Sequence, residues 1–445
     1  MSRVDSENRK VSPMNFRRSD LNVVFVMLCL TALLPFRLSG QESIDVPFEI
    51  VGKTMGPIAY KVIIAHHPDS VTPQELQKRI GESLERVNGL MSTYLPDSDV
   101  SRFNTSRSTG YQEVALETAT VIAKAIEISK QSNGAFDITV GPAVNLWNFG
   151  PNKKDFVLPT DEMIAEVKEL VGFQFLDVRM NPPAIKKSNP SLQIDLSAIA
   201  KGYAVDQVSV MLDEFGCEKF MVEVGGEVST RGERFEGGSW RIGVERPTEK
   251  GRALTSVAEI SDRAMATSGD YRNFIEHGGK RFSHTIDPKT CQPVTHSLAS
   301  ACVVANDCMT ADALATAIMV LGVDRGKQLC SSLEVDYLLV ERDSDFGQDL
   351  TEYVSDSFPL ISKSTTDRVA EQSIWPSFIG AAIIFGIAVL AMAVGSIFAN
   401  KPVAGSCGGL ANMANIDGGS ECGVCSKPRD ECPKVAQKSA ADQAS

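Results

Sequence analysis

The sequence lacks an excess of positive charge. Its 445 residues include 44 Lys and Arg against 56 Asp and Glu, a formal net charge of −12. Because non-specific binding to nucleic acid needs a basic surface, this balance argues against a nucleic-acid partner. The sequence also has no Walker loop and no G-x-G-x-x-G fingerprint after a strand, so neither common nucleotide-binding fold is indicated.

Histidine is scarce, with five residues, and the ten cysteines are unevenly placed. Five cysteines are scattered through the central part of the chain, and they do not form a disulfide scaffold for a domain of that size. We expect them to be small buried residues. These are Cys217, Cys291, Cys302, Cys308 and Cys330. Four more cluster in a glycine-rich tail: Cys407, Cys422, Cys425 and Cys432.

Long uncharged runs are confined to the two ends of the chain. LNVVFVMLCLTALLPF follows Arg17 and Arg18, which predicts a signal peptide or N-terminal anchor over residues 1–40. FIGAAIIFGIAVLAMAVGSIF is long enough to span a bilayer and predicts one transmembrane helix over 374–399, after a polar linker at 361–373.

Positive charge after the second run predicts the orientation of the chain. Basic residues follow that run, which places the tail (400–445) in the cytoplasm by the positive-inside rule. They are Lys401, Lys427, Arg429, Lys434 and Lys438. The large domain (41–360) is then expected outside the cytoplasmic membrane, in agreement with an export signal.

Helical and strand patterns mix between residues 41 and 360 without a regular βαβ rhythm, which predicts an α+β domain. Three amphipathic helices are expected, the first capped by Thr72 and the third capped by Ser197 and ended by Gly216. A fourth helix is expected after Thr310 as its cap, and VDYLLVE is expected to be the last strand.

Two segments predict a site for phosphate and a divalent cation. In QIDLSAIAKGYAVD, Asp195 is expected to end a strand, and Lys201 sits in the first turn of a helix, where free N–H groups suit an anion. In TADALATA, Asp312 and Thr316 are four residues apart, so both oxygens share a helical face and suit Mg²⁺. For the first segment the alternative is a plain capped helix with surface charges. For the second it is an acid in the N-terminal turn of a helix, where the helix dipole favours negative charge.

A third segment, RFSHTIDPKTCQP, carries an acid/base candidate. His284 and Asp287 lie three residues apart on an extended stretch, so an acid beside a scarce histidine predicts catalysis. The alternative is a structural histidine.

Gly225 and Gly226 in VEVGGEV predict a sharp turn or a close approach of backbone to a ligand.

Eight motifs together resemble the ApbE family, the FAD:protein FMN transferases. In chain order they are TMGP, MSTYLPDSDVSRFN, GAFDITVGP, DLSAIAKGYAVD, VGGEV, TSGDYRNF, SHTIDPKT and TADALATAIMVLG, within residues 50–345. The resemblance implies that FAD and Mg²⁺ are used to attach FMN through a phosphoester to a threonine of an exported flavoprotein, with release of AMP.

The resemblance also implies residue roles. Met55, Tyr94, Ala135, Phe136 and Asp137 are expected to line the FAD site. Asp195, Lys201 and the backbone of Ile286 are expected to hold the adenosine or phosphate part. The backbone oxygen of Ala198, with Asp312 and Thr316, is expected to hold Mg²⁺. His284 is expected to take the proton of the target threonine, with Asp287 beside it.

Two residues depart from the family pattern. Cys291 stands where glycine is usual after the DPxT run, which predicts a positive φ and strain, or a changed turn. Pro57 replaces the usual threonine after TMG. Neither residue is a predicted metal ligand.

The tail segment KPVAGSCGGLANM resembles NqrM, a membrane protein that matures the sodium-pumping NADH:quinone oxidoreductase. The resemblance implies iron delivery. Cys422-x-x-Cys425 is a chelating spacing, and four thiolates suit iron or zinc. A disulfide-bonded or inert tail is the alternative, which a reducing cytoplasm disfavours.

The two resemblances predict one task, the maturation of the flavin-accepting subunits and iron centre of that pump. Two rival functions remain. One is an FAD pyrophosphatase that yields FMN and AMP. The other is a membrane metal-assembly factor whose large domain only stores FAD.

Overall fold

The computed structural model describes residues 47–150, 155–248, 253–271, 273–343 and 349–361. All of them belong to one unit, which ends at Ile361. The predicted segments 1–40, 374–399 and 400–445, and the linker 361–373 beyond its first residue, lie outside the described residues. None of the helices in the described ranges is both long and apolar enough to cross a membrane.

An antiparallel sheet of eight strands forms the centre of the fold, with the order β1-β2-β6-β7-β10-β15-β16-β17. Its strands are β1 (Phe48–Thr54), β2 (Ile58–His66), β6 (Lys219–Val224), β7 (Glu227–Arg231), β10 (Ala264–Gly269), β15 (Leu298–Ala305), β16 (Asp336–Arg342) and β17 (Leu350–Val354). Every neighbouring pair is antiparallel. The predicted α+β class is therefore confirmed. The prediction that VDYLLVE is the last strand was wrong, because β17 follows it with no fully buried residue to mark it.

Among the described residues, four smaller sheets and seven α-helices accompany this sheet. The small sheets are β3 (Gln112–Glu113) with β5 (Pro183–Lys187) and β4 (Leu176–Met180), β8 (Trp240–Glu245) with β9 (Leu254–Ile260), β11 (Phe274–His277) with β12 (Lys280–Ser283), and β13 (Ile286–Asp287) with β14 (Gln292–Pro293). The helices are α1 (Pro73–Met91), α2 (Asp99–Thr105), α3 (Leu116–Gln131), α4 (Gly141–Leu146), α5 (Asp161–Lys168), α6 (Ala200–Glu214) and α7 (Cys308–Leu333). The backbone of α7 is kinked at Gly322.

The alternation of side chains along the central strands divides the apolar core into two layers. On β2, Val62 and Ile64 join a core shared with α1, α3, α6 and α7. On the opposite face, Ala65 and Met221 join a smaller core, which is covered by Trp240 and its neighbours on the β8–β9 hairpin. The helices thus cover one face of the sheet, and the hairpin packs on the other.

Capping residues and glycines in the sequence predicted most of the helix ends correctly. Thr72 caps α1 by accepting the N–H of Glu75 at 3.2 Å, and Gly216 follows α6 with a φ of 78°. Two predicted caps were wrong. Ser197 does not cap α6, which begins after Ile199 without a side-chain cap. Asp307, and not Thr310, caps α7, because its carboxylate accepts the N–H and hydroxyl of Thr310.

Candidate active site

A cavity of about 450 Å³ opens where the first turn of α6 and residues 312–320 of α7 meet the β6–β7 turn. Loops after α1 and α3 and the segment 284–288 complete its wall. The cavity brings together eleven of the thirteen site residues predicted for this domain. They are Tyr94, Ala135, Phe136, Asp137, Asp195, Ala198, Lys201, His284, Ile286, Asp312 and Thr316.

The other two predicted residues, Met55 and Asp287, do not line this cavity. Met55 lies in the β1–β2 turn with a φ of 47° and packs against the larger core. Asp287 accepts the backbone N–H of Lys289 at 2.9 Å and so shapes its own turn. The Asp287 carboxylate, which the sequence places near His284, therefore stabilises its own turn.

Lys201 lies between two buried carboxylates. Its Nζ is 2.6 Å from Glu227 Oε1 and 3.4 Å from Asp312 Oδ1. Burial by itself lowers the pKa of Lys201, but the charges of Asp312 and Glu227 outweigh it and raise that pKa above its ordinary value. Lys201 is therefore a permanent cation in the cavity wall, where it can bind phosphate.

Glu227 was not identified from the sequence, although it belongs to the VGGEV motif. Burial raises the pKa of Glu227 to about 7, while Lys201 lowers it and Asp312 raises it further. Its Oε2 atom is buried and has no hydrogen-bond partner among the described residues. The only sequence signal was the position of this acid directly after the two glycines.

The oxygen atoms around Asp312 suit a hard divalent cation. The Asp312 carboxylate, the Thr316 hydroxyl and Ala198 all line the cavity, and Ser268 Oγ lies 3.3 Å from Thr316 Oγ1. Among the described residues there is no cluster of three or more His, Cys, Asp or Glu side chains that could hold a metal alone. One carboxylate with a neighbouring hydroxyl fits Mg²⁺, which is commonly held by one or two carboxylates together with substrate phosphates.

Asp137 and Asp195 organise two of the loops that line the cavity. Asp137 accepts the N–H of Thr139 and of Phe173, each at 2.8 Å. Burial raises the pKa of Asp137, although these hydrogen bonds oppose the shift. Asp195 accepts the N–H of Ser197 at 2.9 Å, and its own N–H donates to Ile138 at 2.7 Å. It lies in a loop, so the prediction that Asp195 ends a strand was wrong.

The hydrogen bonding of His284 fixes which ring nitrogen can act as a base. His284 Nδ1 lies 2.9 Å from the backbone oxygen of Asn273. Because a carbonyl oxygen only accepts, Nδ1 carries the proton and the neutral ring keeps a free lone pair on Nε2. Burial lowers the pKa of His284, which favours this neutral form. Asn273 is a positioning residue that was not predicted, because the β11–β12 hairpin is what brings its backbone oxygen to the ring.

The two departures from the family pattern lie in turns. Cys291 has a φ of 55°, so the predicted positive φ is confirmed. Its carbonyl accepts the indole N–H of Trp147 at 2.8 Å, which holds the turn in place. Pro57 follows Gly56 in the β1–β2 turn.

Asp206 on α6 fixes the start of α7, the helix that carries Asp312 and Thr316. Its carboxylate accepts the backbone N–H groups of Cys308 and Met309, both at 2.8 Å. Burial raises the pKa of Asp206 to about 7, although these two donors lower it in part. The carboxylate also interacts favourably with the positive end of the helix.

The raised pKa of Asp206 predicts a pH-dependent stability. Because its folded pKa near 7 exceeds its ordinary value of 3.8, the folded state binds more protons between these values. The free energy of unfolding should therefore fall as the pH rises through this window. Urea denaturation at pH 5 and pH 8 should show a smaller fall for Asp206→Asn than for the wild type. An equal fall in both proteins would contradict the prediction.

Comparison with known proteins decides the family. The profile of the ApbE family matches residues 55–339, which is more than half of the chain. The chain belongs to the ApbE family. The FAD:protein FMN transferase of Vibrio cholerae is 40% identical over 338 residues, or 76% of this chain and 99% of that protein. That of Haemophilus influenzae is 41% identical over 301 residues, or 66% of this chain and 87% of that protein.

Solved structures agree with this assignment. The flavin transferase ApbE from Vibrio cholerae matches with a TM-score of 0.65 and 39% identity, over 71% of this chain and 99% of that one. The Pseudomonas stutzeri flavinyl transferase ApbE matches with a TM-score of 0.63 and 33% identity, over 70% and 95% of the two chains. The chain is thus an FAD:protein FMN transferase.

The tail matches a second family. The profile described as (Na⁺)-NQR maturation NqrM covers residues 396–445. Both resemblances drawn from the sequence, to ApbE and to NqrM, are confirmed.

Proposed function

We propose that this ApbE domain uses Mg²⁺ to transfer FMN from FAD to a threonine hydroxyl of an exported flavoprotein. One observation carries the proposal. A cavity with a buried cation, Lys201, and the oxygen donors of Asp312 and Thr316 also contains His284, a neutral base. Phosphoryl transfer to a hydroxyl needs such a base, together with electrostatic stabilisation of the phosphates.

His284 would activate the acceptor. A threonine hydroxyl is a weak nucleophile, and Nε2 of His284 can take its proton. The threonine oxygen then bonds to the phosphorus of the FMN half of FAD, and the bond from that phosphorus to the bridging oxygen breaks. AMP leaves with the bridging oxygen. The hydrogen bond from Nδ1 to Asn273 holds the ring in the tautomer that this step needs.

Lys201, Asp312 and Thr316 would act on the diphosphate. The ammonium group of Lys201 is held in place by Glu227 and Asp312, so it can contact a phosphate without reorganisation. The Ala198 carbonyl, Asp312 and Thr316 are the residues that would hold Mg²⁺, which when bound neutralises charge on the diphosphate and improves AMP as a leaving group.

The flavin would occupy the other end of the cavity. Tyr94 lies at the edge of the cavity and is 74% exposed. Its aromatic face can stack there on an isoalloxazine ring. Ala135 and Phe136 are buried behind it. Retention of an aromatic residue at this edge favours transfer of the flavin over simple hydrolysis of FAD.

The proposal is tested by incubating the detergent-purified full chain with FAD, Mg²⁺ and an acceptor domain. A mass gain of one FMN on the acceptor, absent when its target threonine is replaced by valine, is the expected result. Free FMN beside an unmodified acceptor would instead support the FAD pyrophosphatase. Tight FAD binding without either product would support the metal-assembly factor that only stores FAD.

For the acceptor and the site of action, we propose the sodium-pumping NADH:quinone oxidoreductase in the cell membrane. The NqrM match of the tail supports this choice of acceptor. The two apolar runs and the basic tail favour a topology with the transferase domain outside and the tail in the cytoplasm.

The tail is proposed to handle iron for the same complex. Its four cysteines, which lie outside the described residues, supply thiolates that suit iron or zinc. Anaerobically purified full chain should contain iron, and Cys422→Ser should lose most of it. Ser426→Ala, one residue beyond the C-x-x-C pair, should keep it. Equal iron content in Cys422→Ser and the wild type would contradict a thiolate site.

A further inference from the structure

A second cavity, of about 950 Å³, lies between the β8–β9 hairpin and the central sheet. We call it the β8 groove. Its floor includes Ile63, Met221 and Val228, which point to the hairpin side of the sheet. Its opposite wall includes residues 240–243 of β8. Phe235, in the loop before β8, has a 46% exposed side chain at the rim.

The groove follows the open edge of β8. Along this strand Trp240 and Ile242 are buried against the sheet, whereas Arg241 and Gly243 are exposed on the other side. Because residues from both faces of the strand line the groove, the groove must run along the strand's edge. β9 is the one neighbour of β8 among the described residues.

The other edge of the hairpin is already paired. The N–H of Glu259 donates to the carbonyl of Pro359 at 2.8 Å, and the N–H of Ile361 donates to Val257 at 2.9 Å. The end of the described chain therefore covers β9, and β8 is left as the edge that can accept another strand.

The groove borders the active-site cavity. Gly225 and Thr267 line both. Gly225 has a φ of 65°, and a Cβ atom there would lie 2.9 Å from Ile58 and 3.5 Å from the Lys201 side chain. A larger residue at position 225 would therefore crowd Ile58, which lines the groove, and Lys201, which lines the cavity.

We propose that the β8 groove binds an extended segment of the acceptor polypeptide as a third strand beside β8. This rests on the proposed function, because the reaction requires a threonine within a polypeptide to reach the phosphates. A strand added to β8 would lie about 4.8 Å from it and cover the floor of the groove. Backbone hydrogen bonds supply affinity in this mode of recognition. The threonine then passes Gly225 toward His284 and Lys201.

Hydrogen exchange tests strand addition directly. The full chain is mixed with the acceptor domain whose target threonine is replaced by valine, so that the complex cannot react. Amides of residues 240–245 should exchange more slowly than in the free enzyme, because an added strand bonds to the open edge. Protection confined to other segments would overturn the proposal.

A substitution in the groove separates acceptor binding from FAD binding. Ala59 is exposed and lines the groove, so Ala59→Trp should block a docked strand. We expect KM for the acceptor to rise at least about tenfold, as expected for loss of around 1.4 kcal/mol of binding, with FAD affinity unchanged. Val210→Trp, an exposed site on α6, is the matched control and should behave as the wild type.

A second variant guards against misfolding. Phe235→Ser removes the exposed aromatic ring at the rim and should also raise KM for the acceptor, with FAD affinity intact. Normal acceptor kinetics in both groove variants, with an active wild type, would overturn the groove and leave the proposed transfer intact. A wild type that never modifies the acceptor would contradict the transfer, and the groove proposal with it.

Discussion

Asp312→Ala is expected to abolish FMN transfer, with kcat/KM reduced by about 10³-fold or more, because metal stabilisation of transition-state charge is worth several kcal/mol. Asp312 is the buried carboxylate of the proposed Mg²⁺ site, and it also holds Lys201 and accepts the N–H of Gly202 at 3.0 Å. The measurement is the rate of FMN attachment to the acceptor at saturating Mg²⁺.

Two further variants separate chemistry from folding. Asp312→Asn keeps an acceptor for the Gly202 N–H but removes the charge, so it should also be inactive while its melting temperature stays near that of the wild type. Asp324→Ala changes an exposed acid on the same helix and should retain full activity. Full activity in Asp312→Ala would contradict the metal assignment.

His284→Ala is expected to lower kcat/KM by about 10²- to 10⁴-fold, the usual contribution of a positioned general base. The pKa of His284 lies below its ordinary value because the ring is desolvated, so the ring stays neutral into mildly acidic solution. The acidic limb that His284 contributes to the pH profile should therefore lie below about pH 6.5 and disappear in the variant.

His277→Ala is the matched control, because His277 is an exposed histidine seven residues before His284, at the end of β11. It should keep both the rate and the pH profile of the wild type. A His284→Ala enzyme with an unchanged pH profile would show that another group takes the proton.

Features that depend on neighbouring residues in the sequence were predictable. Thr72 and Gly216 mark helix ends because capping is decided within a few residues. Asp312 and Thr316 could be paired because helical spacing puts them on one face. The resemblance to the family then predicted eleven of the residues that line the cavity.

The features that were missed are contacts between distant segments. Glu227 becomes part of the site only because the β6–β7 turn meets the first turn of α6, where Lys201 lies. Asn273 acts through its backbone oxygen, so a pattern of side chains in the sequence cannot predict its role. The spacing of His284 and Asp287 predicted an acid–histidine pair, but the Asp287 carboxylate accepts the N–H of Lys289 in its own turn. Sequence proximity does not fix which groups a tertiary fold brings together.

The open edge of β8 is another feature that only tertiary structure reveals. Nothing in the sequence of β8 indicates that one of its edges is left without a partner strand among the described residues. The glycines of VEVGGEV predicted a sharp turn or a close approach of the backbone to a ligand. They form the β6–β7 turn, and Gly225 lines both the groove and the active-site cavity.

The stoichiometry of AMP release against acceptor modification tests the proposed transfer most directly. The full chain, FAD, Mg²⁺ and acceptor are incubated, AMP is quantified, and FMN is located on the acceptor by tandem mass spectrometry. Transfer predicts one AMP for each FMN bound through phosphate to a threonine, with both products lost in Asp312→Asn and greatly reduced in His284→Ala. AMP that accumulates with free FMN while the acceptor stays unmodified would contradict it.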